Sequence, residues 1–191
     1  MIKTGLLFGS FNPVHIGHVA IAGYMKEFES IDEIWFIISP QNPFKSPEHL
    51  VSPVARLEMT RLAIEQYAAF STSDIEFDMP RPSYTLNTLE ILEERFPERD
   101  FYVIIGTDNI NSIGQWKGGK TLLEKHKFLF YPRLDTDNSK LHHFRNARIV
   151  NAPVIEISSS FIRESLLRGK DMRPFVPNAA YDYLEKNRFY E

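Results

Sequence analysis

The sequence predicts an α/β fold in which one parallel sheet carries helices on both faces. Three observations point there. Short apolar runs alternate with amphipathic stretches along the chain, the first unit has the length of a strand–helix–strand crossover, and no repeat or low-complexity tract breaks the pattern. At 191 residues the chain is expected to form a single domain, 1–191, with a helical C-terminal part from about 158.

The elements follow in order. TGLLFG (4–9) is strand-like, and HVAIAGYMKEF (18–28) is helix-like, with Ile21, Met25 and Phe28 on one stripe. EIWFIIS (33–39) is the next strand. SPVARLEMTRLAIEQYA (52–68) is a helix, with Ser52 able to cap it and Pro53 suited to its first position. DIEF (74–77) is expected as a short strand before the helix TLNTLEILEERF (85–96), where Leu89, Leu92 and Phe96 share a face. DFYVIIG (100–106) is a buried strand, followed by irregular chain to about 120. KFLFY (127–131) and ARIV (147–150) are later strands. SSFIRESLLRG (159–169) and NAAYDYLEKN (178–187) are helices divided by a loop with Pro174 and Pro177. In such Rossmann-like sheets a ligand sits beyond the carboxyl ends of the strands, where strand order reverses.

Composition narrows the partners. A formal charge of -3 gives no overall field toward nucleic acid or an anionic membrane, so a bound anion must be met by local donors. The absence of cysteine excludes disulfides, thiolate zinc sites and a cysteine nucleophile. No signal-peptide core or membrane span is read, so a cytoplasmic location is expected, with neither nucleic acid nor membrane as partner.

The chemistry concentrates in GSFNPVHIGH (9–18), which falls between a strand end and a helix start. Gly9 and Gly17 leave room beside the backbone, and Asn12–Pro13 turns the chain. The helix start offers unpaired N–H groups and a positive dipole end to a phosphate. His15 and His18, three residues apart, project to one side with ring donors. A plainer account is a capped helix with two surface histidines; a zinc pair lacks a third ligand at sensible spacing. A distant ISSSFIRESLLRG (157–169) adds Ser158, Ser159 and Ser160 at a second helix start and Arg163 one turn in, a forked cation suited to phosphate oxygens. By itself that segment reads as an ordinary serine-capped helix with a solvated arginine. Together the two make a polyphosphate cradle.

These two segments resemble the paired H-x-G-H and I-S-S-x-x-x-R signatures of the nucleotidyltransferase superfamily, in their order and spacing over nearly the whole chain. RPSYTLNTLEIL (81–92), IIGTDN (104–109) and Trp116 narrow the resemblance to bacterial nicotinate-nucleotide adenylyltransferases. Family members often carry Asp where Asn12 stands and Thr where Ser160 stands. The resemblance implies a nucleotidyltransferase-type fold. It also implies a reaction of NAD biosynthesis, in which nicotinate mononucleotide attacks the α-phosphorus of ATP and releases pyrophosphate without a covalent intermediate. Independently, a phosphate monoester has a second pKa of about 6, so it is already an anionic nucleophile at neutral pH. Positioning and charge stabilisation are what remain for the protein to supply.

The resemblance assigns His15, His18 and Arg163 as catalytic. It assigns Gly9, Ser10, Phe11, Gly17, Gly106, Asp108, Ser158, Ser159 and Ser160 to ATP. Lys45, Tyr84, Thr85, Trp116 and Arg133 go to the second substrate, with Trp116 stacking on the pyridine ring. The plainer accounts make Trp116 a lid on the core and Lys45 a solvated loop residue. Mg²⁺ is expected, held mainly by phosphates and water, with no protein metal ligand. A homo-oligomer is compatible with the sequence.

Rival readings remain. GQWKGGKT (114–121) satisfies the phosphate-loop pattern G-x-x-x-x-G-K-[ST] of kinases and ATPases, but DNINSI separates it from the preceding strand. HIGH also occurs in class I aminoacyl-tRNA synthetases, for which the chain lacks a tRNA-reading domain and a basic face. A pantetheine-phosphate adenylyltransferase is the nearest rival within the superfamily, and a nucleotide-sensing module without turnover is the non-enzymatic one.

Overall fold

The computed structural model describes residues 1–40, 50–137 and 144–190. Leu6 and Leu7, adjacent in the first strand, are both buried but belong to different apolar clusters, because successive strand residues point to opposite faces. Strand β1 (Ile2–Gly9) pairs in parallel with β2 (Glu33–Ile38) on one side and with β4 (Arg99–Gly106) on the other. Strands β3 (Phe70–Ser73), β5 (Lys127–Tyr131) and β6 (Ala147–Ile149) complete a six-stranded, all-parallel sheet in the order β3-β2-β1-β4-β5-β6. This is the Rossmann-like α/β architecture, with its reversal between β1 and β4.

Helices cover both faces, as an all-parallel sheet requires. On one face, α1 (Ile16–Phe28), α2 (Pro53–Ile64), α5 (Ser159–Leu167) and α6 (Asn178–Lys186) bury Met25, Met59, Ile162 and Leu184 against Leu7, Phe36 and Ile104. On the other, α3 (Thr85–Arg95) and α4 (Gly119–Lys125) bury Leu89, Leu92 and Leu122 against Leu6, Val103 and Phe130. Ser52 caps α2 as expected, its hydroxyl accepting from Ala55 N–H at 3.3 Å. No helix among the described residues is long and apolar enough to cross a membrane.

Four expectations need correction. The third strand is Phe70–Ser73 and not 74–77. Residues after Ser73 turn instead, which carries the Glu76 carboxylate inward to accept from Ser83 (2.6 Å) and Thr88 (2.8 Å). Helix α2 stops at Ile64, whose carbonyl accepts from Tyr67 N–H at 2.9 Å, so that Tyr67 packs on Phe70. Phe28 is exposed: the buried stripe of α1 runs through Ile21, Ala22 and Met25, Glu29 at the C-cap pairs with Arg148, and Phe28 is left stacked on Tyr24 outside. The stretch after β4 is not irregular throughout, since two short 3-10 turns, Thr107–Asn109 and Ile113–Gln115, precede α4.

Candidate active site

The sheet places its two reversal strands side by side. Leu7 lies opposite Ile104, so β1 and β4 both end two residues later, at Gly9 and Gly106. The chain beyond Gly9 is held from beneath by Arg56, a fully buried arginine on α2. Its guanidinium donates to four carbonyls: Ser10 (2.5 Å), Ser39 (2.8 Å), Pro40 (2.9 Å) and Val51 (2.8 Å). Burial lowers its pKa to about 10, which still leaves it cationic at neutral pH. Sequence reasoning missed Arg56. The available signal was its place on the buried stripe of α2, three residues before Met59 and four before Thr60.

The histidines are not surface residues, which removes the plainer account of the motif. His15 is 4 % exposed, and its ring stacks on that of His18 with centroids 3.6 Å apart. The His15 backbone N–H donates to Nδ1 of His18 at 3.2 Å. An acceptor at Nδ1 puts the proton of the neutral ring on Nε2, so His18 is set up as a directed donor. Among the described residues, Nδ1 of His15 is the buried side-chain polar atom without a hydrogen-bond partner. Burial, helped by the nearby Arg133 charge, pulls its pKa down from 6.5 to about 4. His15 is therefore neutral at pH 7 and has an N–H group, not a charge, to offer.

The glycines make room for the protein's own rings. A Cβ on Gly9 would lie 2.9 Å from the ring of Phe11, and one on Gly17 would lie 3.0 Å from Nδ1 of His15. Phe11 itself is core, 2 % exposed with its ring 4.9 Å from His18, so its side chain steadies the histidine. Ser10 is buried too, and its carbonyl is one of the four that Arg56 holds.

The two remote segments meet. The Ser159 hydroxyl donates to the Pro13 carbonyl at 2.8 Å, and Arg163 donates to the Asn12 carbonyl at 2.8 Å, across 146 and 151 residues of chain. Ser158 caps α5 by accepting from Phe161 N–H at 3.2 Å, and Ser160 accepts from Arg163 at 3.2 Å. Ser159 is thus spent as a donor, whereas Ser158 and Ser160 only accept and keep their O–H hydrogens, and the solvated arginine is excluded. What this helix start offers an anion is its backbone N–H groups, those two hydroxyls and the Arg163 fork.

Arg133 joins the same cleft, which His15, Gly17, His18, Tyr131, Ile155 and Ile157 also line. It is anchored by donating to the Ile155 carbonyl at 2.8 Å, and its backbone N–H donates to the Thr107 hydroxyl at 2.9 Å. Beside it, Asp108 folds back over Gly106, where a Cβ would lie 2.2 Å from the carboxylate.

Tyr84 and Thr85 open α3, with Tyr84 at its N-cap. Lys117 sits over the Tyr84 ring at 4.4 Å, and the left-handed Gly118 (φ 71°) lets the following turn close on Leu86. Trp116 is half-buried against the core face that carries Leu86. Lys45 lies outside the described residues. The phosphate-loop match dissolves: its residues run through a 3-10 turn and a left-handed glycine into a seven-residue helix, and Lys120 is 89 % exposed beside Glu124.

This arrangement, two helix starts clasped together at the reversal of a parallel sheet, defines a nucleotidyltransferase. The chain belongs to the cytidylyltransferase-like family, which matches residues 6–165 and so spans both motifs. Within it, the chain is 41% identical over 192 residues to a protein of Flavobacterium johnsoniae named "Probable nicotinate-nucleotide adenylyltransferase", covering all of both. It is 47% identical over 181 residues to a Bacteroides fragilis protein of the same name, covering 94% of this chain and 89% of that one. The solved structure of Plasmodium falciparum nicotinic acid mononucleotide adenylyltransferase complexed with NaAD shares the fold, with a TM-score of 0.86 at 24% identity over 100% of this chain and 98% of the other.

Proposed function

We propose that the protein is a nicotinate-nucleotide adenylyltransferase acting in NAD biosynthesis. A phosphate oxygen of nicotinate mononucleotide attacks the α-phosphorus of ATP, the bond to the bridging α–β oxygen breaks, and pyrophosphate leaves with the displaced electron pair. The observation that carries this reading is the clasp between the histidine turn and α5, through Ser159 to Pro13 and Arg163 to Asn12. It sets two helix N-termini and three ring or guanidinium donor groups around one place, and a triphosphate tail is the ligand that such a set fits.

The roles follow from the geometry. His18, with its Nε2–H directed by the bond at Nδ1, donates to oxygen as charge develops toward pyrophosphate. Neutral His15 donates beside it without adding a charge that would bind ATP and transition state alike. Arg163 and the N–H groups opening α5 hold the β/γ end. Arg133, in the same cleft as both histidines, meets a substrate phosphate. Tyr84, Thr85 and Trp116 receive the pyridine. A nicotinate carboxylate only accepts hydrogen bonds, so donors there favour it over nicotinamide.

Mg²⁺ is part of the proposal as a partner of the phosphates. Among the described residues no group of three His, Asp or Glu could hold a metal, and the clasp presents N–H donors and cations. They offer Mg²⁺ no ligand of their own, so a hard ion bound with ATP would take phosphate oxygens and water as ligands and would supply charge neutralisation. A cytoplasmic location belongs to the same reading.

The test offers ATP and Mg²⁺ with nicotinate mononucleotide, nicotinamide mononucleotide or phosphopantetheine and measures pyrophosphate. Release with the nicotinate nucleotide is expected. Release with phosphopantetheine alone reassigns the substrate within the family, and release with none of the three makes the chain a non-catalytic binder.

A further inference from the structure

The C-terminus reaches back into the turn that carries the histidines. The Tyr190 hydroxyl donates to Oδ1 of Asn12, across 178 residues of chain. The same oxygen accepts from Val51 N–H at 3.2 Å, just ahead of α2, while the Asn12 backbone carbonyl accepts from Arg163. An amide oxygen has two lone pairs. Both are therefore used, one by the segment ahead of α2 and one by the turn after α6, and the amide plane is held.

Two features show that the hydroxyl is aimed and not merely nearby. Arg188 (φ 51°) and Tyr190 (φ 66°) are both left-handed, a conformation unfavourable for a non-glycine residue that persists only where contacts compel it. The turn is tied to α6 by Arg188 N–H donating to the Glu185 carbonyl (3.0 Å) and Phe189 N–H donating to the Leu184 carbonyl (3.2 Å), and the Phe189 ring packs on Tyr183 at 5.9 Å. Burial raises the Tyr190 pKa despite the nearby charges of Arg163 and Arg56, so the phenol stays a neutral donor.

We propose that Tyr190 is a positioning residue: its hydroxyl holds Asn12 so that the Asn12 carbonyl, and through it the Arg163 guanidinium, stays in register with the histidine turn. This rests on the adenylyl-transfer reading for its catalytic consequence, but not for its structural one. The contact the Tyr190 hydroxyl makes is with Asn12. It acts by keeping a donor in place before the reaction begins.

The experiment compares the full chain with Tyr190→Phe, which keeps the ring and removes only the hydroxyl. Loss of one hydrogen bond of ordinary worth should lower kcat about two- to tenfold, with KM for nicotinate mononucleotide unchanged. In an Asn12→Ala background, which has already lost the acceptor, adding Tyr190→Phe should cost nothing further. In Asn12→Asp, which retains an acceptor oxygen, the cost should return. Amide hydrogen exchange over residues 9–18 should speed up in Tyr190→Phe, a readout that needs no substrate. A lower Tm with kcat and exchange unchanged overturns the proposal, and so does an equal kcat loss from Tyr190→Phe in the natural chain and in the Asn12→Ala background. If the wild-type chain releases no pyrophosphate, the enzymatic reading fails separately, and the exchange rates still decide the role of Tyr190.

Discussion

Lowering the pH from about 7.5 to about 5 should destabilise this protein through one side chain, His15. The unfolded ring has the ordinary pKa of 6.5, whereas burial and the Arg133 charge hold the folded one near 4. Between those values the unfolded chain binds the proton and the folded chain refuses it. The stability contributed by the neutral ring is therefore complete above pH 6.5 and is lost progressively as the pH falls toward 4. The whole shift is worth about 3 kcal/mol, and about 2 kcal/mol of it is gone by pH 5. Urea unfolding at both pH values, for the natural chain and for His15→Asn, isolates this term from the other titratable groups, which both proteins retain. The variant should lose about 2 kcal/mol less on acidification. Equal losses, or an NMR titration of His15 with its midpoint near 6.5, would refute the account. Added ATP should move that midpoint upward, because a phosphate beside the ring favours its charged form.

Further consequences can be checked separately. His18→Ala removes a directed donor and should lower kcat roughly 10²–10³-fold, measured by pyrophosphate release; an unchanged kcat removes His18 from the mechanism. Arg56→Met leaves four carbonyls without their donor and should cost about 3 kcal/mol, a fall of about 10 °C in Tm; a loss below about 1 kcal/mol would mean the β1 and β2 ends hold without it. Trp116→Ala should raise KM for nicotinate mononucleotide about tenfold if the indole stacks on the pyridine, whereas an unchanged KM with a lower Tm makes it a lid on the α3–α4 core. Lys120→Ala should leave ATP affinity unchanged in a binding titration, since that lysine is exposed beside Glu124; loss of ATP binding would restore the phosphate-loop reading.

Much of the architecture can be read from local pattern because its causes are local. A period of two or of about 3.6, a capping Ser52 and the crossover length each act within a few residues, and they locate β1, β4, β5, α3 and the parallel sheet. The exceptions are places where a distant residue competes with local preference. DIEF alternates like a strand, but Glu76 turns inward for Ser83 and Thr88. Phe28 fits an apolar stripe, but the buried face of α1 ends at Met25, and Glu29 at the C-cap pairs with Arg148 from β6.

The sequence alone determined the class of fold and the two helix starts, with His15 and His18 at one and Arg163 one turn into the other. Only tertiary structure decided that Ser159 and Arg163 grip the backbone of that turn, that Arg56 is buried beneath it, that Gly9 and Gly17 admit Phe11 and His15, and that Tyr190 closes on Asn12. The division has one physical reason. Period and capping depend on neighbours along the chain, whereas burial, pKa and the choice of hydrogen-bond partner depend on which distant segments the packed sheet brings into contact.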